Sequence, residues 1–203
     1  MPKPTFYNLA ESKKKVLMEA AEAEFSRVAL SEASIANIVK MAKVPRGSFY
    51  QYFEDKEDAY FFLLEEHAKR RQINFITFLK QTNGDIFETM REMYCQTISN
   101  ATNKGNLHFV KNALLNMNHK IENTFEKIFI DTVMEDHLDE VRSLINKGKL
   151  NIEHESDLSH IMKILTVVTL RNLIETFAKD LTYKEAVHNY TAEISLLKRG
   201  LSK

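Results

Sequence analysis

Residues 44–53 of this chain are Val44-Pro45-Arg46-Gly47-Ser48-Phe49-Tyr50-Gln51-Tyr52-Phe53, and Glu54-Asp55-Lys56-Glu57 follow directly. Phe49 and Phe53 are four residues apart, so they fall on one side of a helix and can pack inward. The other side chains of this short helix are mostly basic, small or hydrogen-bonding. The preceding run, from Ser34 to Met41, has the apolar spacing of another short helix. Two short helices joined by a tight turn, the second with polar side chains outside, are typical of a protein that binds the DNA major groove.

The composition indicates a globular protein built from helices. A length of 203 residues allows one large domain or two small ones. Hydrophobic residues make up 44% of the chain and charged residues 28%, which separates it from disordered proteins. Only 5 Gly and 3 Pro are present to form turns. The predicted fold class is therefore all-α.

The charge is balanced overall but unevenly distributed. Lys plus Arg and Asp plus Glu both number 28, so the net charge suggests no partner. Residues 1–52 contain 8 Lys and Arg against 5 Glu, which leaves this part positive and the remainder equally negative. The asymmetry has the sign expected for an N-terminal part that binds nucleic acid.

Several classes of protein and site are disfavoured by what the sequence lacks. Cys95 is the single cysteine, so neither an intrachain disulfide nor a cysteine metal site is possible. The N-terminus has no apolar signal core, and the longest apolar stretch, 164–170, is too short to span a membrane. The seven His show no HExxH spacing, and no Gly-rich phosphate loop is present. We therefore predict a cytoplasmic protein that has no cofactor, no metal and no membrane partner, and that is not an enzyme.

Periodicity and breaks divide the chain into about nine helices after a predicted tail. Pro2 and Pro4 disfavour helix before about Leu9. Breaks at 83–85, 103–106 and 147–149 separate the later elements. The predicted helices are 9–26, 34–41, 45–51, 56–81, 86–102, 107–117, 119–146, 156–179 and 183–201. We predict a helix-turn-helix domain over 1–54 and an effector-binding and dimerisation domain over 55–203.

The last predicted helix carries an apolar seam. Its apolar residues are spaced alternately by four and three, which is the pattern of helices that pair along their length. The preceding helix is apolar over a wide arc, so it needs partners on more than one side. The pattern fits a helix internal to one subunit and a helix shared with a second subunit equally well. The candidate residues of a dimer interface are Leu165, Val168, Tyr183, Val187, Tyr190, Ile194 and Leu197.

Residues 34–58 resemble the helix-turn-helix of the TetR family of transcriptional repressors. The family pattern is Ala-Gly-Val, then a basic residue and Gly, then Phe or Leu, Tyr-x-Tyr-Phe and Lys-Glu. This chain has Ala42-Lys43-Val44, Arg46-Gly47, Phe49-Tyr50-Gln51-Tyr52-Phe53 and Lys56-Glu57. The resemblance implies an N-terminal DNA-binding domain followed by a helical domain for ligand binding and dimerisation. Lys43 departs from the pattern, because it replaces a turn Gly; a positive φ there would cost about 1 kcal/mol.

The predicted DNA contacts lie on and around the second helix of this motif. Arg46 is either a guanine or phosphate contact or an ordinary surface residue, and the motif favours the contact. Gly47 allows close approach of the backbone, Tyr52 is at least as consistent with packing as with contact, and Ser34 can cap a helix or bind phosphate. The resemblance implies a phosphate contact for Lys56. The full set is Ser34, Lys43, Pro45, Arg46, Gly47, Ser48, Tyr50, Gln51, Tyr52 and Lys56.

The effector site is predicted only by composition. Met and aromatic residues in the C-terminal helices form either a pocket for a small hydrophobic molecule or an ordinary core, and the core is the commoner case. The candidate lining residues are Phe87, Met90, Tyr94, Phe109, Asn112, Asn116, Phe129, Met162 and Leu165. We predict a homodimeric repressor that a hydrophobic effector releases from double-stranded operator DNA. The alternative is a helical ligand-binding protein or enzyme that has no role in DNA binding.

Overall fold

The computed structural model describes residues 1–104, 108–124 and 138–202, and these residues contain no β-strand. They form α-helices and a 3₁₀ helix at Lys147–Lys149, which confirms the predicted all-α fold class. In these ranges no helix combines the length and the apolar character that a membrane span requires. The α-helices are α1 (Pro4–Tyr7), α2 (Glu11–Arg27), α3 (Ile35–Ala42), α4 (Arg46–Tyr52), α5 (Lys56–Gln81), α6 (Ile86–Lys104), α7 (His108–Leu115), α8 (residues 119–124), α9 (Leu138–Leu144), α10 (Glu155–Ala178) and α11 (Tyr183–Leu201).

The chain divides into two compact units. The first contains Met1–His67 and Leu107–Asn118, and the second contains Ala68–Asn106 and His119–Lys203. The first unit thus includes α7, which comes from a later part of the sequence. The predicted boundary after residue 54, between a DNA-binding domain and an effector-binding and dimerisation domain, stays a prediction.

The segment before α2 is folded, which corrects the prediction of a tail. Pro4 occupies the start of α1, where its missing N–H costs no helical hydrogen bond. Phe6 is 2% exposed, and its ring lies 5.1 Å from that of Phe53. The proline content of this segment therefore marks the start of a helix instead of preventing one.

The second unit is assembled from helices with well-defined starts. Asp85 accepts hydrogen bonds from the backbone N–H groups of Phe87 and Glu88, both at 3.1 Å, and so caps α6. Thr182 and Glu185 exchange hydrogen bonds in a capping box at the start of α11. Gly84 has a φ of 76°, and a Cβ there would lie 2.2 Å from the Leu144 carbonyl oxygen. The turn before α6 thus requires glycine for both conformation and space.

Two stacked tyrosines lie at the centre of the second unit. The Tyr94 and Tyr190 rings are 4.0 Å apart between centroids. The Tyr94 hydroxyl pairs with the Thr176 hydroxyl at 2.8 Å, and the Tyr190 hydroxyl pairs with the Thr169 hydroxyl at 2.7 Å. Burial raises the pKa of Tyr190 above its usual value. These hydrogen bonds satisfy the polar ends of two large core residues on α6 and α11.

Candidate nucleic-acid interface

The turn between α3 and α4 is formed by Lys43 in the left-handed conformation, with φ 55° and ψ 39°. The Val44 N–H donates to the Val39 carbonyl at 3.1 Å, and the Lys43 N–H donates to the Lys40 carbonyl at 3.3 Å. This double closure is the Schellman motif that usually ends a helix at glycine. The turn therefore adopts the conformation that glycine favours, with a lysine in its place.

Lys43→Gly is expected to stabilise the protein by about 1 kcal/mol, because glycine adopts positive φ without the steric cost of a Cβ. Urea denaturation measures this gain. Lys43 is exposed; the variant is therefore also expected to reduce the slope of log affinity for DNA against log salt by about 1 per subunit.

Lys43→Ala is the matched control, because it removes the same charge and keeps a Cβ at positive φ. It is expected to lower the salt slope equally and to give no gain in stability. Equal stabilities of the glycine and alanine variants would contradict the strain assigned to this turn.

Helix α4 separates an inner face from an outer one. Phe49 and Phe53 are both 0% exposed, and their rings lie 5.4 Å apart. Ser48 and Tyr52 are half-buried, and the Tyr52 ring meets Phe6 edge-on. The exposed residues of this helix and its N-terminal flank are Pro45, Arg46, Gly47, Tyr50 and Gln51. Phe49 and Phe53 thus hold the helix to the unit while the exposed set faces outward.

The exposed face of α4 carries side chains of the kinds that can bind DNA bases. Within the part of the chain that the structure describes, the side chains of Arg46 and Gln51 have no hydrogen-bond partner. A guanidinium can donate two parallel bonds to guanine, and a glutamine amide can pair with adenine in the same bidentate manner. A Cβ on Gly47 would have no atom within 4 Å, so this position has open space for a phosphate or a base edge.

Helix α3 is held at its start by Glu24 of α2, a residue that the sequence analysis missed. The Glu24 carboxylate is 2% exposed and accepts hydrogen bonds from the Ser34 backbone N–H at 2.9 Å and the Asn37 amide at 3.0 Å. Arg27 forms an ion pair with it at 2.9 Å. Burial alone would raise the pKa of Glu24, but the three donors outweigh burial and hold the pKa below its usual value. Its place three residues after Ala21 and seven after Leu17, both buried apolar residues of α2, is the signal that identifies it.

Glu24→Gln is expected to lower the free energy of unfolding by roughly 1–3 kcal/mol at neutral pH, because charge-assisted hydrogen bonds are lost. The depressed pKa stabilises the fold above the ordinary value of 4.5, and this contribution disappears as the pH falls through the lower pKa of the folded state. Urea denaturation at a series of acidic pH values should therefore show a shallower loss of stability in the variant.

Glu11→Gln is the control for that comparison, because Glu11 is 86% exposed in its ion pair with Lys14. It is expected to behave like the wild type. The same acid dependence in Glu24→Gln and wild type would contradict the role assigned to the buried carboxylate.

Ser34 and Lys56 have contacts within the protein. The Ser34 backbone N–H donates to Glu24, and its side chain makes no capping bond to α3, so the hydroxyl stays available to a phosphate. The Lys56 ammonium donates to the carbonyls of Ser31 at 2.7 Å and Ala33 at 3.0 Å. An ammonium has three donors. Lys56 thus ties the loop before α3 to α5, and its predicted phosphate contact stays a prediction.

The predicted effector residues are distributed over both units. Phe109 lies in the first unit, where its ring meets Tyr60 edge-on at 5.1 Å. The Asn112 amide donates to the carbonyls of Phe25 at 2.7 Å and Val28 at 2.6 Å, and so holds the end of α2. Asn116, also in the first unit, donates to Asn112, and Phe129 lies outside the described residues. The second unit contains the remaining five, all buried: Phe87, Met90, Tyr94, Met162 and Leu165.

The predicted dimer residues differ in exposure within one subunit. Tyr190 and Leu165 are 0% exposed and Ile194 is 3% exposed, so these three face the subunit's own core and have no area left for a second subunit. Val168, Val187 and Leu197 are half-buried, and Tyr183 is exposed. The seam of α11 is therefore internal at Tyr190 and Ile194 and partly or fully exposed at its other three candidate residues. The large apolar side chains exposed elsewhere on α10 and α11 are Ile164, Val167 and Leu196.

Both halves of the chain match known sequence families. Residues 17–60 match the family described as bacterial regulatory proteins, tetR family, and residues 85–201 match the tetracyclin repressor-like, C-terminal domain. The second match by itself covers more than half of the chain. No curated protein sequence matches this chain.

Solved structures with the same fold cover nearly the whole chain at low sequence identity. E. coli NemR in its reduced form has a TM-score of 0.65 at 17% identity and covers 91% of this chain and 95% of its own. SmeT of Stenotrophomonas maltophilia, in complex with triclosan, has a TM-score of 0.64 at 17% identity, with 95% and 93% covered. Bacillus subtilis FadR with stearoyl-CoA has a TM-score of 0.60 at 16% identity, with 92% and 98% covered.

Proposed function

The chain belongs to the TetR family of bacterial transcriptional regulators, and on that premise we propose that it is a homodimeric repressor that a hydrophobic effector releases from its operator. Membership makes it a DNA-binding regulator and not an enzyme, as the sequence predicts. Regulators of this family bind operator DNA and small effectors and act as dimers. Repression, the operator and the effector class are the proposed elements for this chain, together with action in the cytoplasm.

The outer face of α4 carries the proposal. Arg46, Tyr50 and Gln51 extend from a helix that two fully buried phenylalanines hold in place. We expect Arg46 and Gln51 to contact base edges, and Lys43 and Ser34 to contact phosphates, since base contacts determine sequence and phosphate contacts determine position. In this assignment Pro45, Gly47 and Ser48 allow the start of α4 to approach the groove closely.

A dimer is supported by the apolar side chains that one subunit leaves exposed. Val167 on α10 is 58% exposed and Leu196 on α11 is 60% exposed, and Ile164 lies one turn before Val167. Both helices thus carry apolar surface that their own subunit does not cover. We propose that α10 and α11 of two subunits form a four-helix interface, which gives each particle two α4 helices related by two-fold symmetry.

A hydrophobic effector is supported by the composition of the core of the second unit. Phe87, Met90 and Met162 are buried apolar side chains in that unit, and methionine adapts its shape readily to a neighbouring group. Two proteins of the same fold have been solved with ligands that contain a large apolar group, SmeT with triclosan and FadR with stearoyl-CoA. If the effector lowers the affinity of the protein for its operator, the operator must lower the affinity of the protein for the effector by the same factor.

Selection of duplexes from a randomised DNA library tests this function. The purified protein is expected to enrich a two-fold symmetric site whose half-sites lie about 10 base pairs apart, and to bind it with strong salt dependence. Failure to enrich any sequence would contradict operator binding and would favour the alternative, a helical ligand-binding protein without a role at DNA.

Mass spectrometry of an organic extract of the purified protein tests the effector class. A strongly polar extracted ligand would contradict a hydrophobic effector.

A further inference from the structure

Helix α4 ends in carbonyl groups that its own turns cannot satisfy. The last four carbonyls of any α-helix lack partners within the helix. In α4 the first of these belongs to Phe49, which accepts from the Phe53 N–H at 2.9 Å. The remaining three belong to residues 50–52, which include two of the exposed residues assigned to DNA. Their partners come from the N-terminal segment.

Lys3 and Thr5 donate to all three of these carbonyls. The bonds run from the Lys3 N–H to the Tyr52 carbonyl at 2.7 Å, from the Lys3 ammonium to the Tyr50 carbonyl at 2.9 Å, and from the Thr5 hydroxyl to the Gln51 carbonyl. A cation at the C-terminus of a helix also interacts favourably with the helix dipole. The N-terminal segment therefore acts as the C-cap of α4.

The segment is itself anchored, so the donors are held in position. The Phe6 ring packs against those of Phe53 at 5.1 Å, Phe62 at 5.2 Å and Tyr52 at 6.4 Å. Aromatic pairs at these separations stabilise an interface beyond the area that they bury. Phe6 thus links the capping segment to the same aromatic cluster that holds α4.

The cap matters because α4 is short. It has 7 residues, fewer than a helix needs to be stable by itself, so its last turn depends on outside contacts. Tyr50 and Gln51 have their backbones held by this cap and their side chains exposed. We propose that Lys3 and Thr5 are positioning residues for DNA recognition, which fix the last turn of α4 in the orientation that the operator requires. This proposal rests on the proposed function.

Thr5→Val and Lys3→Met, in full-length protein with any tag at the C-terminus, test the proposal. The probe is the duplex that the wild-type protein selects from a randomised library, compared with a scrambled duplex. Loss of one capping bond is expected to weaken binding to the selected duplex about fivefold, with a smaller effect on the scrambled one. The slope of log affinity against log salt is expected to stay unchanged, because the Lys3 ammonium donates to the Tyr50 carbonyl and not to a DNA phosphate. Lys3→Arg keeps a cationic donor and is therefore expected to bind the selected duplex as the wild type does. Thr77→Val is the matched control for Thr5→Val, because Thr77 is an exposed threonine on α5.

Hydrogen exchange gives a readout that does not depend on DNA. The amides of Tyr52 and Phe53 are expected to exchange faster in both capping variants, whereas those of α2 stay unchanged. Unchanged exchange together with unchanged discrimination between the two duplexes would overturn the proposal. Equal weakening on both duplexes with a lower salt slope in Lys3→Met would also overturn it, since that result would make Lys3 a phosphate contact. If the wild-type protein binds no duplex, the proposed function fails, while the exchange result still tests the cap.

Discussion

Arg46→Ala is expected to weaken binding to the selected duplex roughly 100-fold or more, because each subunit of the dimer loses a contact worth about 1–3 kcal/mol. Gln51→Ala is expected to have a smaller effect and to relax the sequence preference at one position of each half-site. Fluorescence anisotropy at fixed salt concentration measures both. The side chains are exposed and hydrogen-bonded to no described residue, so we expect the folded stability to stay unchanged.

Arg70→Ala and Gln81→Ala are the matched controls for these two changes. Both residues are exposed on α5, outside the helix-turn-helix, and their removal deletes the same groups. Neither control is expected to change affinity appreciably. If Arg46→Ala binds the selected duplex as tightly as the wild type does, α4 is not the helix that recognises the operator.

Val167→Glu combined with Leu196→Glu is expected to convert the dimer into monomers. Each change appears twice in a two-fold interface, and burial of an unpaired carboxylate costs several kcal/mol. The charges remain solvated in the monomer, because both positions are more than half exposed there. Sedimentation velocity at micromolar concentration measures the change in mass. Operator affinity is expected to fall as well, since one subunit contacts only one half-site.

Val16→Glu is the control for the interface variant. Val16 is 46% exposed on α2, outside the proposed interface, so the added charge should leave the dimer intact. A double variant that still sediments as a dimer would place the interface elsewhere. Replacement of Ile194 does not provide this test, because that side chain is 3% exposed and its loss would damage the subunit's own core.

The helix-turn-helix was predictable because its signals are local. Phe49 and Phe53 lie one turn apart and leave Tyr50 and Gln51 outside, so one short stretch determines both faces of α4. The backbone strain at Lys43 was predictable as well, since a lysine replaces the glycine of the family pattern at a turn position. The capping segment was missed because its bonds join residues nearly fifty positions apart. Sequence periodicity has no access to such contacts.

The second unit shows a different limit of sequence patterns. An a/d spacing identifies the apolar face of α11 but does not determine which helix covers it. The face with Tyr190 and Ile194 is covered within the subunit, whereas Leu196, which lies outside the a/d spacing, remains exposed. Similarly, Asn112 appeared to be a polar group for a ligand, whereas its amide holds two carbonyls at the end of α2.

The most direct test of a symmetric dimer that inserts two α4 helices into successive major grooves is a change in half-site spacing. Anisotropy titrations would compare the selected duplex with one in which about 5 base pairs, half a helical turn, are inserted between the half-sites. Two rigidly related helices cannot reach both grooves on the longer duplex, so we expect affinity to fall roughly 100-fold or more, to the level of the scrambled duplex. Equal affinity for the two spacings would contradict the symmetric two-groove arrangement.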